Sequence, residues 1–279
     1  MLRFVVALLA EARPLVERFR MEVVEEAPFA VYRGREGWLI LSGHGKAAAA
    51  AATAYLHLAS GGVMSRAWIN VGLGGHRQRP LGEGVVAHKI SDAASGASWY
   101  PQLVIDSPRP TAPVLTVERM EEEYSLPWVY ESEAAGFFPI ACRFSTAELV
   151  HCYKIVSDNP DATLSRRMSA AAVEDLVASN LEEIMVFAGD LAGLARQLAG
   201  FLADPPGYQE ILAKWDFPTP WRRRLRRLLQ RLAVLDPEGP PALDGARDPA
   251  EILALLESRL AAIPIRLPVL AGGLSHDLR

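Results

Sequence analysis

Residues 149–156 form a short apolar run, L-V-H-C-Y-K-I-V, that ends at the polar pair Ser157 and Asp158. An apolar run of this length, bounded by polar residues, is typical of a buried core strand. In an open α/β sheet, ligands bind at the carboxyl ends of the strands. The run therefore predicts a core strand that delivers the carboxylate of Asp158 to a binding crevice.

A second acidic segment lies upstream, where Glu131 and Glu133 stand immediately before the small and aromatic residues 134–138. That run could enter a buried helix, and Glu133 would then lie at its start. Two interpretations stay open at this point. Glu133 and Asp158 could be paired carboxylates with different tasks, or Glu133 could simply be a favourable partner for the helix dipole.

Other predicted strands also end in glycine turns. Residues 3–9 predict a first strand followed by a helix over 10–20, and residues 67–72 predict a buried strand before Leu73-Gly74-Gly75. The turn S-G-H-G-K at 42–46 opens an alanine-rich helix. Such turns can present free N–H groups to an anion or a ribose. A plain turn with small residues for close packing is the alternative, and the Walker spacing is missing.

The 279 residues, 50% of them hydrophobic, are enough for one large domain or for one domain plus an appendage. A net charge of −4 gives no general polyanion-binding signature. Cys142 and Cys152 stand without a CxxC spacing or a nearby His/Cys cluster, which indicates reduced structural cysteines in a cytoplasmic protein and no metal site. No apolar run reaches the roughly 20 residues that span a bilayer, so we expect no membrane segment.

The last part of the chain differs in composition. Residues 169–198 predict one long helix, or two helices broken near Gly189, and residues 201–279 then hold ten of the 20 prolines. We therefore expect a helical C-terminal extension, 201–279, after an α/β domain, 1–200. Residues 221–232 predict an amphipathic helix with six arginines. Such a helix either packs its leucines and leaves its arginines solvated, or binds an acidic partner or, less favoured here, nucleic acid.

Four stretches occur in the order and at the spacing of a known superfamily. They are A-L-L-A-E-A-R-P-L-V at 7–16, S-G-H-G-K-A-A-A-A at 42–50, I-N-V-G-L-G-G at 69–75 with G-E-G-V-V at 82–86, and Y-E-S-E-A-A-G at 130–136 with K-I-V-S-D at 154–158. Together they resemble the purine nucleoside phosphorylase and methylthioadenosine/S-adenosylhomocysteine nucleosidase superfamily over residues 1–200. The resemblance implies a three-layer α/β domain, with a twisted mixed central sheet flanked by helices. It also implies cleavage of a purine nucleoside N-glycosidic bond by phosphorolysis or hydrolysis.

The resemblance also implies roles for individual residues. Glu133 matches the carboxylate that holds the ribose hydroxyls near developing positive charge. Asp158, supported by Ser157, matches the acid that protonates the departing purine. Further expected substrate contacts are Leu9, Gly43, Gly45, Gly72, Gly74, Gly75, Glu131 and Ser132, and expected anion or water contacts are Glu11, Arg13 and Lys154. No cofactor is implied beyond phosphate as a possible co-substrate, and the family pattern suggests a homo-oligomer, with a dimer as our expectation.

Several positions depart from the family pattern, and two of them bear directly on the reaction. The carboxylate that activates water in the nucleosidases aligns with Ala12, with Glu11 one residue earlier, and Leu73 stands where a small polar residue is usual. These departures are compatible with a phosphorylase that uses Arg13 and Lys154 as anion ligands, or with an altered substrate. They are also compatible with a catalytically degenerate protein that binds nucleosides without turning them over.

Overall fold

A computed structural model describes residues 1–105, 109–119, 123–160, 168–236 and 246–264. The chain divides into two compact units, Met1–Phe201 and Leu202–Arg279. In the first unit, a ten-stranded sheet runs through the described residues. Its strands are β1 (Leu2–Val6), β2 (Glu22–Glu25), β3 (Val31–Arg33), β4 (Gly37–Leu41), β5 (Ala67–Gly75), β6 (Gly84–Asp92), β7 (Ser98–Trp99), β8 (Thr111–Thr116), β9 (Val129–Glu131) and β10 (Val150–Asp158).

The sheet is mixed and partly closed on itself. The strand order is β10-β6-β8-β9-β5-β1-β4-β3-β2, with β7 beside β6. Because β10 pairs with β6 on one side and also with β5 on the other, strands β5, β9, β8, β6 and β10 close into a ring. The predicted twisted mixed sheet is thus confirmed, and the ring is a feature that the sequence pattern did not predict.

The ring and the parallel strands bring several chain ends together. Strands β4, β1, β5 and β10 are parallel neighbours, so their carboxyl ends lie at one edge. Strand β9 meets the end of β5 where Tyr130 pairs with Gly75. Strand β8 ends beside β9, with Thr116 paired to Glu131. The segments that follow these strands therefore converge on a single region.

Helices cover both faces of the sheet and complete the expected three layers. One core contains Leu15 of α1 (Leu9–Arg18), Val177 of α4 (Ala170–Ser179) and Phe187 of α5 (Leu181–Leu202). The other contains Leu56 of α2 (Lys46–Ala59) and Phe137 of α3 (Ala134–Ala141). Among the described residues, no helix combines the length and the apolar character needed to cross a membrane.

The predicted break in the helical stretch 169–198 was placed wrongly. The chain breaks at Asn180, between α4 and α5, and Gly189 lies inside α5. The Asn180 side-chain amide donates to the carbonyl of Gly82 at 2.9 Å and to that of Leu176 at 3.0 Å. A side chain that bonds backbone carbonyls in this way stabilises a helix end, whereas an exposed glycine in a helix only weakens it.

The second unit packs three helices, α6 (Tyr208–Lys214), α7 (Thr219–Leu235) and α8 (Pro249–Ala262), around their own core. In α7, the predicted amphipathic helix, the leucines are buried. Three of its arginines form ion pairs within the unit: Arg222 with Asp216, Arg224 with Glu257, and Arg226 with Asp204. These pairs agree with the structural interpretation of the basic helix, and nucleic-acid binding stays a prediction.

The close contact between α2 and α3 should be sensitive to one methyl group. A Cβ added at Gly136 would overlap the backbone carbonyl of Lys46. We expect Gly136→Ala to destabilise the fold by about 1–3 kcal/mol, because neither backbone can move aside freely. Gly189→Ala is the matched control, since a Cβ there meets nothing within 4 Å, and it should stabilise α5 by about 0.5–1 kcal/mol. Thermal unfolding followed by circular dichroism measures both changes, and equal midpoints for the two variants would contradict the close contact.

Candidate active site

A cavity of about 340 Å³ opens where the strand ends converge. Its walls come from the last residues of β5, β9 and β10, from residues that follow β1, β4, β8 and β9, and from the start of α1 and α4. Glu11, Glu133 and Asp158 all line this cavity, although they are supplied by three separate segments. The two carboxylates that the sequence pattern paired, Glu133 and Asp158, therefore share one site.

Glu133 is held as an anion between two helix starts. It immediately precedes α3, and its Oε1 accepts the N–H of Gly45 just before α2 at 3.0 Å. Gly43 and Gly45 have φ angles of 75° and 93°, which explains the two glycines of this turn. Burial alone would raise the pKa of Glu133, but His44, the charge of Lys154 and the Gly45 N–H together lower it to about 2. Glu133 is consequently ionised at any physiological pH.

Glu11 is the third carboxylate of the cavity. Its Oε2 accepts the N–H of Leu8 at 2.9 Å, and its Oε1 accepts the N–H of Leu73 at 3.2 Å. Burial raises the pKa of Glu11, with a further contribution from the charge of Glu133. Ala12 is fully buried in the core. The departure at Ala12 therefore does not remove a carboxylate from the site, because Glu11 reaches the cavity from the preceding position.

Beneath these carboxylates lies a buried ion pair. The Lys154 ammonium is completely buried and lies 2.7 Å from Oε2 of Glu131. The charges of Glu131 and Glu133 raise the pKa of Lys154, although burial acts in the opposite direction. Glu131 also accepts the hydroxyl of Thr116 and the N–H groups of Glu133 and Ala134. Glu131 and Lys154 thus form a buried ion pair that supports the site from below.

Two expected anion contacts are wrong. Lys154 is enclosed and bound to Glu131, so it presents no free ammonium to the cavity. Arg13 lies outside the cavity and pairs with Glu174 at 2.6 Å on the surface between α1 and α4. The sequence motifs did not show that Glu131 and Glu174 would be the partners of Lys154 and Arg13, because both acids lie in other segments of the chain.

Four of the expected substrate contacts, Leu9, Gly43, Gly45 and Gly72, do not line the cavity. Leu9 begins α1 with 44% of its surface exposed, and its neighbour Leu8 lines the cavity instead. Gly72 makes room for the buried Glu131–Lys154 ion pair, since a Cβ there would lie 3.3 Å from Nζ of Lys154. Gly74, Gly75, Glu131, Ser132 and Ser157 do line the cavity.

Both carboxylate oxygens of Asp158 accept hydrogen bonds from neighbouring hydroxyl groups. Ser157 donates its hydroxyl to Oδ2 at 2.7 Å, and Tyr124 donates its hydroxyl to Oδ1. Tyr124 and Tyr130 both line the cavity, and sequence reasoning did not identify either. Tyr130 precedes Glu131 within the quoted motif, which was a usable signal. No sequence pattern marked Tyr124. Within the described residues, no group of three His, Cys, Asp or Glu side chains could hold a metal ion.

No protein-family model matches the chain, and no curated protein sequence does. Solved structures with the same fold are 5′-methylthioadenosine/S-adenosylhomocysteine nucleosidases. The Helicobacter pylori enzyme with butyl-thio-DADMe-Immucillin-A is 13% identical, with a TM-score of 0.55 over 67% of this chain and 97% of its own. The S. pneumoniae enzyme with the transition-state inhibitor MT-ImmA is 16% identical, with a TM-score of 0.53 over 69% and 99%. The Colwellia psychrerythraea enzyme in complex with adenine is 18% identical, with a TM-score of 0.51 over 68% and 95%. The first unit therefore has the nucleosidase fold that the sequence resemblance implied.

The contact between His44 and Glu133 should be visible in the titration of His44. Nδ1 of His44 lies 3.8 Å from Oε1 of Glu133, and this carboxylate raises the pKa of His44 above its ordinary 6.5. We expect Glu133→Gln to lower the pKa of His44, because the imidazolium loses its negative partner. Histidine NMR resonances followed against pH measure the change. His57, whose pKa is lowered by burial and by Arg3, is the internal control and should titrate identically in both proteins.

The buried Glu131–Lys154 ion pair should contribute more to stability than a surface ion pair does. Lys154→Met leaves the Glu131 carboxylate buried without its cation, which typically costs about 3–5 kcal/mol. The double variant Glu131→Gln with Lys154→Met should recover a large part of that loss, because no unpaired charge remains. Chemical denaturation of the wild type, of the single variants Lys154→Met and Glu131→Gln, and of the double variant gives the coupling energy. Additive losses in the double variant would contradict a direct Glu131–Lys154 interaction.

Proposed function

We propose that this protein is a nucleosidase that hydrolyses the N-glycosidic bond of a purine nucleoside. One observation carries the proposal: Glu11, Glu133 and Asp158 line a single cavity, and the surroundings move the pKa values of Glu11 and Glu133 in opposite directions. Carboxyl groups whose environments separate their pKa values are the usual sign of divided acid, base and binding roles.

Glu133 suits the binding role. A permanently ionised carboxylate can accept hydrogen bonds from both ribose hydroxyls, and it lies near the positive charge that develops on the sugar as the bond to the base breaks. The low pKa of Glu133 means that it does not take up a proton during this step. Its Oε1 is already fixed by the Gly45 N–H, so its position is set before the substrate binds.

Glu11 suits the role of general base. A carboxyl group whose pKa is raised above its ordinary value accepts a proton from water more effectively than an ordinary carboxylate does. In the proposed reaction, Glu11 takes one proton from water as the water oxygen bonds to the anomeric carbon. Asp158 gives one proton to the base as the carbon–nitrogen bond breaks. The products are the free base and the free sugar, and the proton on Glu11 later returns to Asp158 through solvent.

The charges around the cavity favour water over phosphate as acceptor. Five acidic residues line it within the described part of the chain: Glu11, Glu118, Glu131, Glu133 and Asp158. Arg119 and His44 are the basic residues of the described lining. Lys154 is enclosed with Glu131, so its ammonium offers no direct contact to an anion in the cavity. A dianionic phosphate would be repelled by such a lining, whereas neutral water is not.

The similar structures suggest the substrate class. They are nucleosidases of 5′-methylthioadenosine and S-adenosylhomocysteine, and one was solved with adenine. In this chain, Leu8, Met168 and Val173 give the cavity an apolar portion that suits an apolar 5′ substituent. We therefore propose an adenosine with a 5′ substituent of this kind as the substrate.

The direct test is release of free base from methylthioadenosine, adenosine and inosine, with and without phosphate. We expect base and free sugar to form at a rate that phosphate does not increase. Asp158→Asn should lower kcat about 10²–10⁴-fold, because the base then leaves without a proton donor. Asp175→Asn, which removes an exposed acid outside the cavity, is the matched control and should retain full activity. A sugar phosphate as product would overturn hydrolysis, and no base release from any substrate would overturn the proposal.

A further inference from the structure

Tyr124 belongs to the candidate active site, but the proposed reaction does not use it. The side chain is buried, with 2% of its surface exposed, and its hydroxyl donates to Oδ1 of Asp158. Ser157 donates to Oδ2 of the same carboxylate at 2.7 Å. Both oxygens of Asp158 are therefore engaged by hydroxyl groups of the chain itself.

The phenol of Tyr124 also takes up space beside Asp158. A Cβ added at Gly75 would overlap both the ring edge and the hydroxyl of Tyr124, and it would crowd Oδ1 of Asp158. The ring thus lies directly on Gly75, at the carboxyl end of β5. A base that hydrogen-bonds to Asp158 needs this same glycine surface, because any larger residue at position 75 would block a flat ring there.

Three further observations concern how Tyr124 is held. Its ring packs edge-on against Tyr130, with centroids 5.4 Å apart and an interplanar angle of 70°. The Tyr130 hydroxyl accepts the N–H of Leu126 at 2.9 Å, which fixes the turn that follows Tyr124. The φ angle of Tyr124 is 44°, in the left-handed region that costs free energy for a residue with a side chain. The side-chain contacts thus maintain a backbone conformation that would relax if the phenol left Asp158.

We propose that Tyr124 is a specificity-determining residue of the base subsite, and that its hydroxyl and the departing base compete for Asp158. This inference rests on the proposed function, because it takes Asp158 as the group that meets the base. The phenol ring, with its hydroxyl on Oδ1 of Asp158, occupies the place beside this carboxylate that the base needs in order to meet it. A ligand whose base bonds Asp158 more strongly than the phenol does displaces the Tyr124 hydroxyl.

Tyr124→Phe tests the competition, because it removes the hydroxyl and keeps the ring. We expect the Kd for free adenine and the KM for methylthioadenosine to fall about tenfold, which is the usual worth of one competing hydrogen bond. The ratio kcat/KM should rise accordingly, because the substrate no longer has to displace a phenol hydroxyl from Asp158. Adenine binding is measured by calorimetry, and turnover by base release. A larger adenine-induced rise in Tm than in the wild type gives a second, independent readout.

Tyr55→Phe is the matched control. Its hydroxyl also donates to a carboxylate, that of Glu25, but outside the cavity, so its loss should leave adenine binding unchanged. An unchanged or higher Kd for adenine in Tyr124→Phe would overturn the competition. A lower kcat with unchanged KM would instead assign Tyr124 to positioning Asp158 and would also overturn it. If the wild type releases base and Tyr124→Phe binds adenine no better, only this inference fails. If neither protein binds adenine or releases base, the proposed function fails with it.

Discussion

The ammonium group of Lys154 makes the arrangement of carboxylates in this cavity possible. Several negative charges enclosed in a medium of low dielectric constant repel one another strongly, and each pays a penalty for leaving water. Lys154 lies 2.7 Å from Glu131, and its charge also acts on Glu11 and Glu133. A cation at the centre allows Glu133 to stay ionised while Glu11, more burdened by burial, is driven toward its protonated form.

Backbone N–H groups also stabilise the carboxylates of the cavity, by donating hydrogen bonds to them. Glu133 accepts the N–H of Gly45, and Glu11 accepts those of Leu8 and Leu73. Leu73 lies near the end of β5, and Leu8 and Gly45 are the residues just before α1 and α2, so strand and helix ends set the positions of these carboxylates. Leu73 shows why side-chain identity can mislead: the residue departs from the family pattern, yet its contribution here is an N–H group, which any residue except proline supplies. A site built in this way is preorganised, because its hydrogen-bond donors are backbone groups whose positions the fold fixes.

Much of the fold was predictable because its signals are local. Short apolar runs marked β1, β5 and β10, with glycine or aspartate at the ends of the last two, and the alanine-rich run marked α2. The exposed edge strand β2 was not predicted, because its residues lack the alternation of a half-buried strand. The helix break at Asn180 was predicted near Gly189 instead, for a related reason. Its cause is a hydrogen bond to Gly82, 98 positions away, and sequence periodicity carries no information about such a contact.

The sequence by itself determined which residue types were available at the strand ends: the acids Glu131, Glu133 and Asp158 and the glycines that let the chain turn there. It did so because side-chain chemistry and backbone preference are properties of a residue and its near neighbours. Only the tertiary structure decided their tasks. It enclosed Lys154 with Glu131, directed Glu11 rather than Ala12 into the cavity, and laid Tyr124 on Asp158. Burial, charge and hydrogen bonding at these positions come from segments far apart in the chain, which meet only when the strands close into a ring.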